Sequence, residues 1–156
     1  MSTDMQTAAP CPLCTGPGGT LLWQDADLRV VAVQDADYPG FTRVIWQGHV
    51  AEMTDLTPAQ RDSMMRVVYC VETVMRRELG PDKINLAAFG NMVPHLHWHV
   101  IARWRDDRHF PDAYWAAPRV AHGTESDAWR QRLARRHALV AAFHAALKTA
   151  LATPAS

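Results

Sequence analysis

Between Pro94 and Trp104 the chain runs His95-Leu96-His97-Trp98-His99-Val100-Ile101, with three of its eight histidines at alternate positions. Successive side chains of an extended strand point to opposite faces, so this spacing puts the three imidazoles on one side and Leu96, Trp98 and Val100 on the other. The apolar side packs against a core. The histidine side is poorly suited to packing, because every imidazole carries ring nitrogens that need partners once water is removed. A face open to a phosphate or a metal ion supplies those partners, and a fold that holds this segment must leave that face accessible.

The neighbouring segments supply the rest of a sheet. Residues 20 to 34, TLLWQDADLRVVAVQ, carry two short apolar stretches around Asp25-Ala26-Asp27 and predict a β-hairpin. After the Tyr38-Pro39-Gly40 turn, Phe41 to Trp46 reads as a third strand, with His49 just beyond it. Two further strands are expected near residues 83 to 89 and 95 to 103. Thr57, Pro58 and Gln60 mark a helix start with a capping box, Met64, Val68, Val71, Met75 and Leu79 recur at helical spacing, and Gly80-Pro81 stops the helix. Past Thr124, Trp129, Leu133, Val140, Phe143, Leu147 and Leu151 define the stripe of a second, C-terminal helix, with Arg130, Arg132, Arg135 and Arg136 expected on its wet face. Strands interrupted by one helix and closed by another predict an α+β fold on an antiparallel sheet of about five strands.

At 156 residues with 48% hydrophobic composition, the chain is long enough for one domain with a real core. Sixteen basic and sixteen acidic side chains cancel, which argues against bulk binding to nucleic acid or to a membrane surface. No apolar run approaches the roughly 18 to 20 residues of a membrane span, and the first ten residues lack the pattern of a signal peptide. We therefore expect a cytoplasmic protein with a mobile tail over residues 1–10. Cys11, Cys14 and Cys70 are too few for a disulfide framework, but Cys11-x-x-Cys14 has the spacing of two zinc thiolates, which is half a site. Cys70 falls inside the first helix and reads as core.

The triad segment resembles the His-φ-His-φ-His-φ-φ signature of the histidine triad (HIT) superfamily at every position, φ being apolar. The stretch Asn85 to Trp104, NLAAFGNMVPHLHWHVIARW, looks like the version found in bacterial HIT hydrolases, and PGFTRVIWQGHV followed by the DLTPAQ helix start is similar to the family's upstream block. The likeness covers roughly residues 11 to 115. It implies a HIT-like domain over residues 11–123 with a helical extension, 124–156, packed on it. It also implies a nucleotide hydrolase acting at the α-phosphate of dinucleoside polyphosphates or nucleoside phosphoramidates. In that reading His97 attacks phosphorus and becomes a nucleotidyl-histidine, His99 contacts the phosphate and assists the leaving group, and Asn91, Asn85 and Arg43 bind substrate. A neutral imidazole has one free lone pair at pH 7 and can attack, while its other nitrogen fixes the tautomer.

By the same resemblance His49 and His95 would complete a structural zinc site with Cys11 and Cys14. No organic cofactor is implied, and a homodimer is. Phe41 and Trp46 depart from the family's His and Pro and alter the nucleoside pocket. Three other readings stay open: a nucleotidyltransferase or phosphorylase of the same superfamily, a zinc-stabilised nucleotide-binding module without catalysis, and a metalloenzyme using His95, His97 and His99 as ligands. Trp104, Phe110, Tyr114 and Trp115 read as anchors of an irregular loop or as a wall for a nucleobase. His109, His122, His137 and His144 have no assigned partner.

Overall fold

The computed structural model describes residues 10–153; most of the expected tail lies outside them. A one-turn helix, α1 (Pro12–Thr15), precedes strands β1 (Thr20–Gln24), β2 (Leu28–Ala32) and β3 (Thr42–Trp46). A short 3-10 turn at Met53–Asp55 leads to helix α2 (Pro58–Leu79), then β4 (Lys83–Ala87), β5 (His97–Arg103), and the C-terminal helices α3 (Asp127–Ala138) and α4 (Val140–Ala152). The five strands form one sheet in the order β1-β2-β3-β5-β4, antiparallel throughout. Among the described residues no helix is long and apolar enough to cross a membrane.

Local chemistry accounts for the boundaries. The Asp25 carboxylate accepts the backbone N–H groups of Asp27 and Leu28 and closes the β1–β2 hairpin. Thr57 caps α2 through the Gln60 N–H, the Gln60 side chain accepts from the Thr57 N–H, and Gly80 ends the helix in a left-handed conformation at φ 58°. Alternation then sorts the strands: Val30, Val44 and Val100 are fully buried against Val68, Val71 and Met75 of α2 and Phe143 and Leu147 of α4. The opposite face carries Arg43 and Ile45 paired in register with His99 and His97. Helices thus cover one side of the sheet, and Arg43, His97 and His99 occupy the other.

The structure differs from expectation in four places. The third strand starts at Thr42, and the Phe41 side chain packs with Tyr38 and Ile101. The last strand starts at His97, because the Leu96 backbone is already committed, its N–H to the Val50 carbonyl and its carbonyl to the Trp46 N–H. The C-terminal helix is broken at Leu139, whose N–H bonds the Arg136 carbonyl three residues back. The break lets Trp129 cover the loop after β5 while Phe143 and Leu147 enter the main core. Arg136 is drawn out of the expected solvated face, lying over the Trp104 ring and donating to the Asp106 carboxylate, to which the exposed Arg132 also donates.

Candidate functional site

The Cys11-Pro-Leu-Cys14 knuckle is folded onto the open face by a buried arginine. Arg29 donates from Nε to the Pro17 carbonyl, from Nη2 to the carbonyls of Leu13 and Gly16, and from Nη1 to the Gln47 side chain. It therefore joins the knuckle to the turn that carries His49. The resulting cluster brings Cys11, Cys14, His49 and His95 together with all four ligating atoms within 4.8 Å of one another. His95 Nδ1 lies 3.5 Å from Cys11 Sγ, 3.4 Å from Cys14 Sγ and 3.3 Å from His49 Nδ1, and Cys14 Sγ is 3.3 Å from His49 Nδ1. Ligand edges of roughly 3.3–3.8 Å follow from zinc bond lengths in a tetrahedron, so this donor set fits zinc. His95 is fully buried, and its Nε2–H donates to the Trp46 carbonyl at 2.7 Å. That bond leaves the lone pair on Nδ1, toward the thiols.

Two residues further on, the locking nitrogen is the other one. His97 Nδ1–H donates to the His95 carbonyl at 2.6 Å, so its free lone pair is on Nε2. His97 and His99 line a cleft of about 540 Å³ together with Arg43, Asn91, Met92, Phe89, Tyr114 and Trp115. Arg43 is the one fully charged side chain on that wall, and no carboxylate faces it, so the cleft favours an anion. Burial, with the positive charge of Arg43, holds the His97 imidazole below its ordinary value, and its carbonyl bond offsets part of this. Burial together with His97 and Arg43 pushes His99 down to about 4. Both rings are neutral at pH 7. Arg43 Nε, a donor, and His99 Nδ1 are buried without hydrogen-bond partners, polar atoms left over for something that enters the cleft.

The other residues singled out from sequence separate clearly. Asn91 lies exposed at the cleft edge. Asn85 lies outside the lining, its side-chain oxygen accepting from Arg103 Nη1 at 2.7 Å. His97 and His99 belong to no ligand cluster among the described residues, and the three-histidine metal arrangement is not formed because His95 turns to the cysteines. Of the four loop aromatics, Trp104 is buried in the helical core and Phe110 lies near the Arg103 guanidinium, while Tyr114 and Trp115 line the cleft. That loop is held by buried ion pairs, Arg103 to Asp107 and Arg108 to Asp37 and Glu125. His109 meets the Tyr38 hydroxyl and His137 donates to the Ala36 carbonyl. Sequence reasoning passed over Phe89 and Arg29, one an aromatic in a turn and the other an arginine on a strand, neither with a local signal of its role.

A protein-family model described as the HIT domain matches residues 19–106. No curated protein matches the chain. Among solved structures, a histidine triad protein from Bradyrhizobium japonicum is 25% identical, with 80% of this chain and 92% of that one covered at a TM-score of 0.60. One from Marinobacter aquaeolei is also 25% identical, covering 81% and 92% at 0.59. A zinc-bound histidine triad family protein from Mycobacterium smegmatis is 21% identical, covering 88% and 97% at 0.53. The family match covers more than half of the chain and includes all three alternating histidines, and the chain belongs to the HIT family.

Proposed function

We propose that this protein is a nucleotide hydrolase that cleaves at the α-phosphate of dinucleoside polyphosphates or nucleoside phosphoramidates. The observation that carries the reading is the His97 tautomer: with Nδ1–H held by the His95 carbonyl, Nε2 keeps its lone pair on a ring that lines an anion-favouring cleft. Nε2 attacks the α-phosphorus, an N–P bond forms, and the bond from phosphorus to the leaving group breaks. The positive charge that develops on the His97 ring is opposed by the His95 carbonyl. Water then attacks the same phosphorus, the N–P bond breaks, and a nucleoside monophosphate departs. Over both steps water contributes hydroxyl to phosphorus and a proton to the leaving group or solvent. Arg43 and a neutral His99 stabilise charge on the phosphoryl oxygens and Asn91 borders them, whereas Asn85, held by Arg103 outside the cleft, takes no part.

In the same reading Cys11, Cys14, His49 and His95 hold one zinc ion, whose four protein ligands leave no open position and make it structural. The protein would work as a cytoplasmic homodimer with residues 11–123 as its catalytic domain. Replacing His97 by Ala tests the core of the proposal. Release of AMP from a model dinucleotide collapses while the far-ultraviolet circular dichroism stays that of the wild type. Undiminished release would reject His97 as the nucleophile.

A further inference from the structure

The Cys11-Pro-Leu-Cys14 knuckle supplies part of the cleft wall as well as two thiols. Leu13, between the cysteines, lines the cleft with His97 and His99, and it packs with Val31, Ile45 and Val93 in an apolar cluster separate from the main core. Four residues beyond Cys14, the Gly18 carbonyl accepts from Arg43 Nη1 at 3.3 Å. Among the described residues this is the one hydrogen bond of the Arg43 side chain, whose Nε is buried without a partner. A carbonyl of the loop that follows the knuckle therefore sets where the cleft's cation points. Knuckle and loop are also in tight contact. Gly18 adopts φ +80°, and a Cβ there would lie 2.7 Å from Leu13 Cδ2 and 2.8 Å from Ile45 Cδ1. With no slack between them, a shift of Leu13 is passed to the Gly18 backbone and from there to the guanidinium.

The four residues of the ligand cluster come from three separate segments of the chain, so their bonds to one ion would fix the knuckle against the sheet. From the proposed hydrolase and zinc readings, on which this inference rests, we infer that the knuckle regulates the cleft. Ion occupancy of Cys11, Cys14, His49 and His95 sets the affinity of the cleft for a phosphate-bearing ligand, acting through Leu13 and the bond from Arg43 to the Gly18 carbonyl. The coupling runs both ways, because an anion that holds Arg43 in place also holds Gly18 and Leu13. A ligand in the cleft tightens the ion by the same factor by which the ion tightens the ligand.

The test reads binding rather than turnover. Zinc affinity of the wild type is measured by competition with a chromogenic chelator, with and without saturating AMP, and AMP affinity by calorimetry on the zinc-loaded protein. The expected result is a zinc affinity that rises roughly tenfold in AMP, within the usual range of coupling between two sites. Arg43→Lys keeps the charge but removes the Nη1 donor, whereas Gly18→Ala moves the carbonyl and leaves Arg43 intact. In each the rise should shrink to about twofold or less, and either variant decides should the other fail to fold or to bind AMP. Equal zinc affinity with and without AMP in the wild type would overturn the inference. So would an undiminished rise in either variant, or a zinc-loaded wild type that binds no AMP. Release of AMP from diadenosine tetraphosphate is assayed on the same protein: release without coupling rejects the regulatory role alone, and coupling without release rejects the hydrolase reading alone.

Discussion

His95 and His97 are two residues apart on one segment, yet they meet opposite surroundings because each is locked through a different nitrogen. His95 donates from Nε2 to the Trp46 carbonyl and turns Nδ1 to the cysteines, whereas His97 donates from Nδ1 to the His95 carbonyl and keeps Nε2 free. One ring is fully buried in a ligand cluster and the other lines the cleft. The difference shows that imidazole chemistry in this fold is assigned by the backbone carbonyl each ring finds, since the side chains are identical. It also links the two sites covalently, because the carbonyl that orients His97 belongs to His95.

The sharpest way to break the comparison is to remove each ring in turn. His97→Ala should lower turnover by roughly 10³-fold or more and shift the melting temperature by no more than about 2 °C, read by AMP release and calorimetry. His95→Ala should do the reverse first: on the proposed zinc site, metal content falls from stoichiometric in the wild type to near zero, and the melting temperature drops by on the order of 10 °C, the loss that site requires. Equal stability losses in the two variants would contradict separate roles.

Acid sharpens the picture further along the strand. The folded His99 titrates near 4 against an ordinary value of 6.5, so the unfolded chain binds more protons between those values. Its contribution is fully present above pH 6.5 and is lost as the pH falls toward 4, about 3 kcal/mol in all. Urea unfolding at a series of pH values checks this, and the slope over that window should flatten in His99→Gln. The smallest effect is expected at Arg29. Arg29→Met removes the donors to the carbonyls of Leu13, Gly16 and Pro17 and should cost about 2 kcal/mol of stability. It should also speed zinc transfer to a chelator, a change that simple destabilisation far from the knuckle would not bring.

Much of the fold is legible in the sequence wherever a signal is local. The Thr57–Gln60 capping box, the Gly80 stop and the Asp25 hairpin turn are written in neighbouring residues and appear as expected. Alternation in His95 to Val100 foretells an apolar face and a histidine face, but it cannot say that pairing begins at His97. That depends on Leu96 bonding Val50 and Trp46, which are distant in sequence. The break at Leu139 is hidden for the same reason: the apolar stripe continues through it, and only the separate docking of Trp129 and Phe143 requires it. Arg136 reads as solvated because its partner, Asp106, sits across a loop. Cys11 and Cys14 announce half a ligand set by spacing, while His49 and His95 join it through sheet topology and a family likeness. Asn85 shows the limit of carrying a role by position, since Arg103 on the neighbouring strand has claimed its side-chain oxygen.

The most direct examination of the free His97 lone pair is to trap what it forms. Wild-type protein mixed briefly with diadenosine tetraphosphate, quenched in alkali and digested without acid, should yield an adenylated peptide containing His97. The adduct should be acid-labile, attached through Nε2, and missing from His97→Ala. An adduct attached through Nδ1 or located on His99, or turnover with none at all, would contradict the assignment.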